Sequence, residues 1–345
     1  MPLQARRIFR LSLTLGLSLA CAYALQIPLP FITPVFALLL SLVPAPPLGA
    51  KGLVGLVAVV LVTTGAGLLL VPLLLNYPVS AVMIVALGLF ISNYLTVNLA
   101  KGLVGALLTV GIAMISAAGT ASYALALTVI EALVTGIVVT IVCQWLVYPW
   151  FPEDGLPQDN SPRERGGGQQ SNWIALRATL IVLPAYLLAL TNPAMYLATI
   201  MKSVSLGQQS SIVSARDAGT ELLGSTFLAG CCAILFWFLL GAFPSLWMFF
   251  LWTLLFGVFF ASKIYRVIPS RFSSSFWQNV AVTMLILLGP AVEDSANGKD
   301  VYMAFASRMG LFTAVTLYAW LAIYLLERLR TRFFVRINSI QPEAD

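Results

Sequence analysis

The chain has 345 residues, 60% of them apolar and only 9% charged, with a mean hydropathy of +0.94 and a formal net charge of +6. An ordinary soluble domain carries about 25% charged and 45–50% apolar residues, so there is too little polar surface here to cover water-exposed cores, and lipid is the main solvent. The positive charge does not point to nucleic acid, because the basic residues stand singly between apolar runs and not on one face with interleaved aromatics.

In lipid every backbone polar group must be satisfied internally, which leaves helices or a closed barrel. The apolar runs last about 15 to 25 residues and lack the alternation of barrel strands, so they predict an all-α membrane protein. Arg6, Arg7 and Arg10 precede the first run, which closes on Ser18, Leu19, Ala20 and Cys21 with a faint likeness to a lipoprotein signal. Another apolar run follows within about ten residues, so a retained first span is expected instead. First-half spans are predicted near 9–26, 29–45, 52–74, 78–97, 102–118 and 123–148. Phe151 to Ser171, rich in Pro, Gly and charge, reads as a flexible linker. Second-half spans follow near 174–190, 193–207, 217–240, 243–261, 274–290 and 303–326. The expected organisation is a six-helix repeat over 1–150, a cytoplasmic linker over 151–171, a second six-helix repeat over 172–336 and a tail over 337–345.

Short cytoplasmic loops collect Lys and Arg. With the N-terminus inside, seventeen of the nineteen basic residues fall at inner ends of spans, and only Lys299 and Arg308 fall toward the outside. Both termini are therefore expected in the cytoplasm. The hexapeptide Ala-Lys-Gly-Leu-Val-Gly occurs at 50–55 and again at 100–105, and basic residues recur at offsets near 170, as in Arg7 and Arg177. Six spans per half is an even number, so a duplication would give two parallel repeats about an axis normal to the membrane.

Ionisable groups inside a membrane are costly and mark candidate functional positions. Glu131 lies about 12 Å into its span and Arg308 about 9 Å into the last one, at 1.5 Å per residue. The two could pair across the axis, either as a structural ion pair or as a proton and anion site. Span eight is short and its counterpart is broken by Pro30 and Pro34, so Lys202 is a candidate to face a water-filled path, with snorkelling to the interface as the plainer reading. Arg216, Asp217 and Glu221 open span nine, where the helix dipole alone could explain the acids and where Glu221 could exchange a proton. With no histidine in the chain, a proton relay is expected to use Glu131, Asp217 and Glu221, while Lys202, Arg216 and Arg308 attract an anion.

Cys21, Cys143, Cys231 and Cys232 sit inside apolar segments without metal-ligand spacing and read as packing residues. The acidic run Glu293 to Asp300 reads as an outer loop, a solvated turn or a partner contact. No phosphate-binding loop, nucleophile elbow or zinc cluster is present in the sequence, so neither an enzyme nor an ATP-driven pump is expected, and no cofactor or metal.

Twice six spans, a Pro-rich second span, the pattern of Arg216, Gly219, Thr220 and Gly224, and the run from Glu131 through Thr135 and Gly136 to Tyr148 and Pro149 resemble the fusaric acid resistance family of bacterial inner-membrane proteins. The resemblance implies export of small organic acids such as aromatic carboxylates, with a periplasmic adaptor of the membrane-fusion type and an outer-membrane channel as partners. The short linker, and Lys51-Gly52 where that family prefers an Arg-Gly-Thr-like start, depart from it. The expectation is a proton-driven inner-membrane exporter of organic anions or drugs, with a homo-oligomer left open. An organic anion channel and a non-transporting subunit that anchors a partner are the alternatives.

Overall fold

The computed structural model describes residues 2–42, 45–98, 102–153, 168–209, 219–296, 298 and 300–338. The described residues form helices and no strands. In order they are α1 (Leu3–Ala24), α2 (Ile32–Ser41), α3 (Ala50–Asn76), α4 (Pro78–Asn98), α5 (Gly102–Val110), α6 (Ser116–Ala121), α7 (Tyr123–Val147), α8 (Gly168–Thr191), α9 (Pro193–Gln209), α10 (Ser225–Ala242), α11 (Leu246–Ile264), α12 (Ser274–Ala296) and α13 (Val301–Asn338). A π-helical turn, Gly111–Ile115, joins α5 to α6, and another, Gly219–Gly224, leads into α10. Twelve continuous helical stretches therefore follow the predicted spans in register.

Nine of these stretches are long and apolar enough to cross a membrane, which makes the chain a multi-pass membrane protein. The exceptions carry a correction. α2 has 10 residues, a rise of about 15 Å against a hydrocarbon core of about 30 Å, so it does not span as the 29–45 expectation required. Pro30 precedes it and Pro34 lies in its first turn, where a missing N–H is tolerated. The connection ahead of it holds Gln26 and Leu29 in the left-handed region, at φ 52° and 49°. α9, with 17 residues, is also short, and α1 carries Arg6, Arg7 and Arg10 in its first turns.

Local chemistry explains the other boundaries. Ser122 caps α7 by accepting the Leu125 amide at 3.0 Å, and Ser245 caps α11 by accepting that of Met248 at 3.2 Å. Pro78 and Pro193 occupy first helical positions, where their fixed φ suits the helix. Buried hydroxyls are satisfied within the helices, as where Thr64 donates to the Val60 carbonyl at 2.7 Å.

The two halves exchange helices. α1 lies along α11, and α8 lies along α4. One core joins Leu11, Leu15 and Leu19 of α1 to Phe236, Phe260, Val280 and Phe312. A second joins Val182, Tyr186 and Ala189 of α8, with Ile200 of α9, to Val60, Leu89, Ile115 and Ile137, and a smaller third joins Ile181 of α8 and Leu206 of α9 to Leu222, Ala319 and Ile323. α12 is the most enclosed of the long helices, and α13 and α4 are the most peripheral. Close backbone approach needs glycine at two places in particular. A methyl on Gly67 would strike the Gly111 carbonyl across the contact of α3 with the π turn, and one on Gly111 would strike the Thr63 carbonyl of α3 in return.

Polar contacts place the ends. Arg6 donates to the Pro152 carbonyl at 3.2 Å, Gln144 to Ser41 Oγ at 3.1 Å, and Tyr265 to the Ser41 carbonyl at 3.2 Å. The start of α1 and the ends of α2, α7 and α11 therefore gather at one end, which also holds Arg7, Arg10, Lys263 and Arg266. We call this the basic end.

Candidate functional site

A cavity of about 380 Å³ opens at the basic end, between α1, α2, α5, α7 and the last turn of α9. Its apolar wall is Leu39, Leu40, Pro46, Pro47 and Ala106, and its polar groups are Arg10, Ser41, Gln144, Tyr148 and Gln208. Leu39, Ala106 and Gln208 are shared with a second cavity of about 90 Å³ that is lined by Phe36, Leu133, Met201, Val204, Val282 and Ile286. α2, α5 and α7 come from one half and α9 and α12 from the other, so the pair of cavities follows the seam between the halves. The first volume lies in the range of small-molecule pockets, and an apolar wall with a few convergent polar groups is their usual chemistry.

Arg10 is the cation of this site. It is 6% exposed, its Nη1 lies 2.8 Å from Glu153 Oε2, and its guanidinium carbon sits 5.8 Å from the centre of the Tyr148 ring. Arg7 donates Nε to the other Glu153 oxygen at 2.7 Å. Two arginines share one carboxylate among the described residues. Arg10 Nη2 is buried and makes no hydrogen bond among the described residues. A planar, weakly hydrated guanidinium with a spare donor beside an apolar wall suits a carboxylate attached to a hydrophobic body. Just beyond α11, burial pushes the Tyr265 phenol up, and the Arg10 and Arg7 charges pull it back.

A second polar cluster lies within the second half. Lys202 on α9 is fully buried and donates Nζ to Asn279 Oδ1 at 3.1 Å and to Thr283 Oγ1 at 2.7 Å, both on α12. Asn279 Nδ2 donates to Ser225 Oγ on α10, and that hydroxyl donates to the Glu221 carbonyl. The Glu221 side chain accepts from Ser275 Oγ at 2.8 Å and lines an open cavity of about 660 Å³ together with Arg266 and Arg271.

The candidates read from the sequence are thus dispersed. Lys202 lines neither of the two seam cavities and does not snorkel; it is enclosed by neutral partners. Arg308 pairs with Asp294 at 2.5 Å, not with Glu131. Glu131 is exposed on the outer face of α7, alongside Leu127, and forms no ion pair among the described residues. The distance from Glu131 to Arg308 is set by which helices adjoin, which matched depth along two helices could not reveal. Arg216 and Asp217 lie outside the described residues, as does Lys299. Glu293 and Asp294 belong to the last turns of α12 and are half-buried and buried, so the first part of the acidic run is helix and not a solvated loop.

Arg10, Glu153, Gln144 and Asn279 were missed. Arg10 had a signal, being set one turn further into the apolar run than Arg6 and Arg7. Asn279 and Thr283 had another, four apart and so on one face of an otherwise apolar helix. Glu153 had none, because its partners are 143 and 146 residues away.

Residues 7–147, from the first turns of α1 to the last residue of α7, match a family described as "Protein of unknown function (DUF2955)". No curated protein and no solved structure matches the chain.

Proposed function

We propose that this protein is a bacterial inner-membrane exporter of small amphipathic organic anions, such as aromatic carboxylates, driven by protons. The observation that carries the reading is the spare, buried guanidinium donor of Arg10 at the wall of a cavity that continues as an apolar one along the seam of the two halves. The carboxylate is received by Arg10, with Gln144 and Gln208 beside it, and the apolar body enters between Phe36 and Val282. The basic end is the cytoplasmic one, in keeping with the bias of Lys and Arg toward inner loops. The exchange of α1 and α8 between the halves fits a parallel duplication, and rocking of one half against the other would move the seam between its two openings. On the opposite side, Arg308 and Asp294 hold the ends of α12 and α13 together. A periplasmic adaptor and an outer-membrane channel complete the export route, as the resemblance to the fusaric acid resistance family implies.

Reconstitution into liposomes tests this. Radiolabelled 4-hydroxybenzoate is expected to accumulate in response to an imposed pH gradient, and Arg10→Gln is expected to lower that accumulation about tenfold, the loss of one charge-assisted hydrogen bond of about 1.5 kcal/mol. Uptake that persists unchanged without a gradient would favour an anion channel, and no uptake of any aromatic acid would leave a non-transporting subunit.

A further inference from the structure

Lys202 is the most enclosed ionisable group among the described residues, and nothing in the exporter reading so far uses it. Its Nζ has two partners, Asn279 Oδ1 and Thr283 Oγ1, both neutral acceptors. Among the described residues, none of the charged groups on the surrounding elements pairs with Lys202. α8 carries Arg177 and α13 carries Glu327, and these pair with each other at 3.1 Å. α12 carries Glu293 and Asp294 at its far end, the latter paired with Arg308. α5, α6 and the π turn between them carry no charged residue. Tyr186 on α8 is bonded to Ser116 at 3.1 Å. With no opposing carboxylate among the described residues, an ammonium held this way is costly, whereas a neutral amine keeps both hydrogen bonds through its two N–H groups.

The same side chain is connected to the basic end. From Nζ the polar contacts run through the Asn279 amide to Ser225 Oγ and the Glu221 carbonyl, where the π-helical turn Gly219–Gly224 opens α10. The Glu221 carboxylate, bonded to Ser275, faces the open cavity beside Arg266 and Arg271. A π turn inside a helix is frequent at functional positions, because it displaces backbone groups from the regular ladder.

We infer that Lys202 is the group that takes up and gives back the coupling proton, with Asn279 and Thr283 holding it in both forms. One proton from water adds to the Nζ lone pair, and the same proton returns to water in the return step; only N–H and O–H bonds form and break. The inference rests on the proton-driven reading above, in which Lys202 ceases to be an anion-binding residue.

A transport-independent readout separates the two. The thermal unfolding midpoint of the detergent-solubilised protein is measured between pH 6 and pH 9, where carboxylates and arginines in water do not change charge. The wild type is expected to show a pH-dependent shift of several degrees that is absent from Lys202→Met and from Lys202→Gln; Gln is the safer variant for folding because it can still donate to Asn279. Parallel profiles for wild type and either variant would overturn the inference. In liposomes, Lys202→Gln is expected to keep downhill uptake of 4-hydroxybenzoate and to lose accumulation driven by a pH gradient; gradient-driven accumulation equal to wild type would equally overturn it. A wild type that transports nothing, yet shows the Lys202-dependent shift, would remove the exporter reading and leave Lys202 as a proton site.

Discussion

Single side chains divide here by what stands opposite them. Arg308 and Asp294 close within 2.5 Å with side chains 20% and 8% exposed, so Asp294→Asn removes the paired carboxylate of a partly desolvated guanidinium and leaves it only the neighbouring charge of Glu293. A loss of about 2 kcal/mol is expected, between the values for exposed and buried pairs, read as a lower unfolding midpoint in detergent. Glu131→Gln is expected to change neither that midpoint nor uptake, since the exposed side chain has no ion pair among the described residues and lines none of the cavities described; a loss of gradient-driven uptake would return Glu131 to the mechanism. The contrast between these two residues was invisible at equal helical depth. Each looked like a costly intramembrane charge, and only the neighbouring helix distinguishes an engaged one from an outward-facing one.

Elements are positioned by what their backbones allow. α3 meets the π turn Gly111–Ile115 so closely that a Cβ on Gly67 would overlap the Gly111 carbonyl, a backbone atom that cannot rotate away. Gly67→Ala is therefore expected to lower stability by about 1–3 kcal/mol, as overpacking does. Gly55→Ala on the same helix meets nothing within 4 Å and serves as the control, expected to match or slightly exceed wild type. Thermal unfolding of the two variants side by side would check the contrast. α2 carries the other consequence at this scale. Ten residues of mostly buried apolar helix cannot span the hydrocarbon, so α2 starts inside the bundle, where Thr140 of α7 donates to the Thr33 carbonyl, and its last residues, Leu39, Leu40 and Ser41, reach the basic end as part of the wall of the larger seam cavity. A short helix buried in protein is tolerated at membrane depth because its free backbone ends face partners and not lipid; here the Ser41 carbonyl accepts from Tyr265.

At the scale of the molecule, neither half has a complete core of its own. Leu11, Leu15 and Leu19 fill the second half, and Val182, Tyr186 and Ala189 fill the first. Residues 1–153 and 168–345, expressed as separate chains in one cell, are expected to co-purify and to restore uptake, since the contacts of α1 with α11 and α8 with α4 do not pass through the linker. Each half expressed alone is expected to be degraded or to aggregate, because it would expose the apolar surface that the other half's first helix covers. Recovery of either half as a stable monomer would show that the exchange is incidental.

Much of this was legible from composition and punctuation alone. A 60% apolar chain with Pro, Gly or charge at the borders of its runs had to be a helical membrane protein, and most helix boundaries fall within a few residues of those borders, because lipid requires closed backbone hydrogen bonding and the breakers act locally; α13 is the exception, running past its expected end to Asn338. The clustering of basic residues at one set of helix ends follows from the same local signals. What the sequence could not determine was which helix faces which. The pairing of Arg308 with Asp294, the sharing of Glu153 by Arg7 and Arg10, the enclosure of Lys202 by Asn279 and Thr283, and the seam cavity itself all depend on contacts between distant segments. Side-chain packing and backbone approach between helices decide these contacts, and in a chain almost uniformly apolar no periodicity marks the face that a helix turns inward.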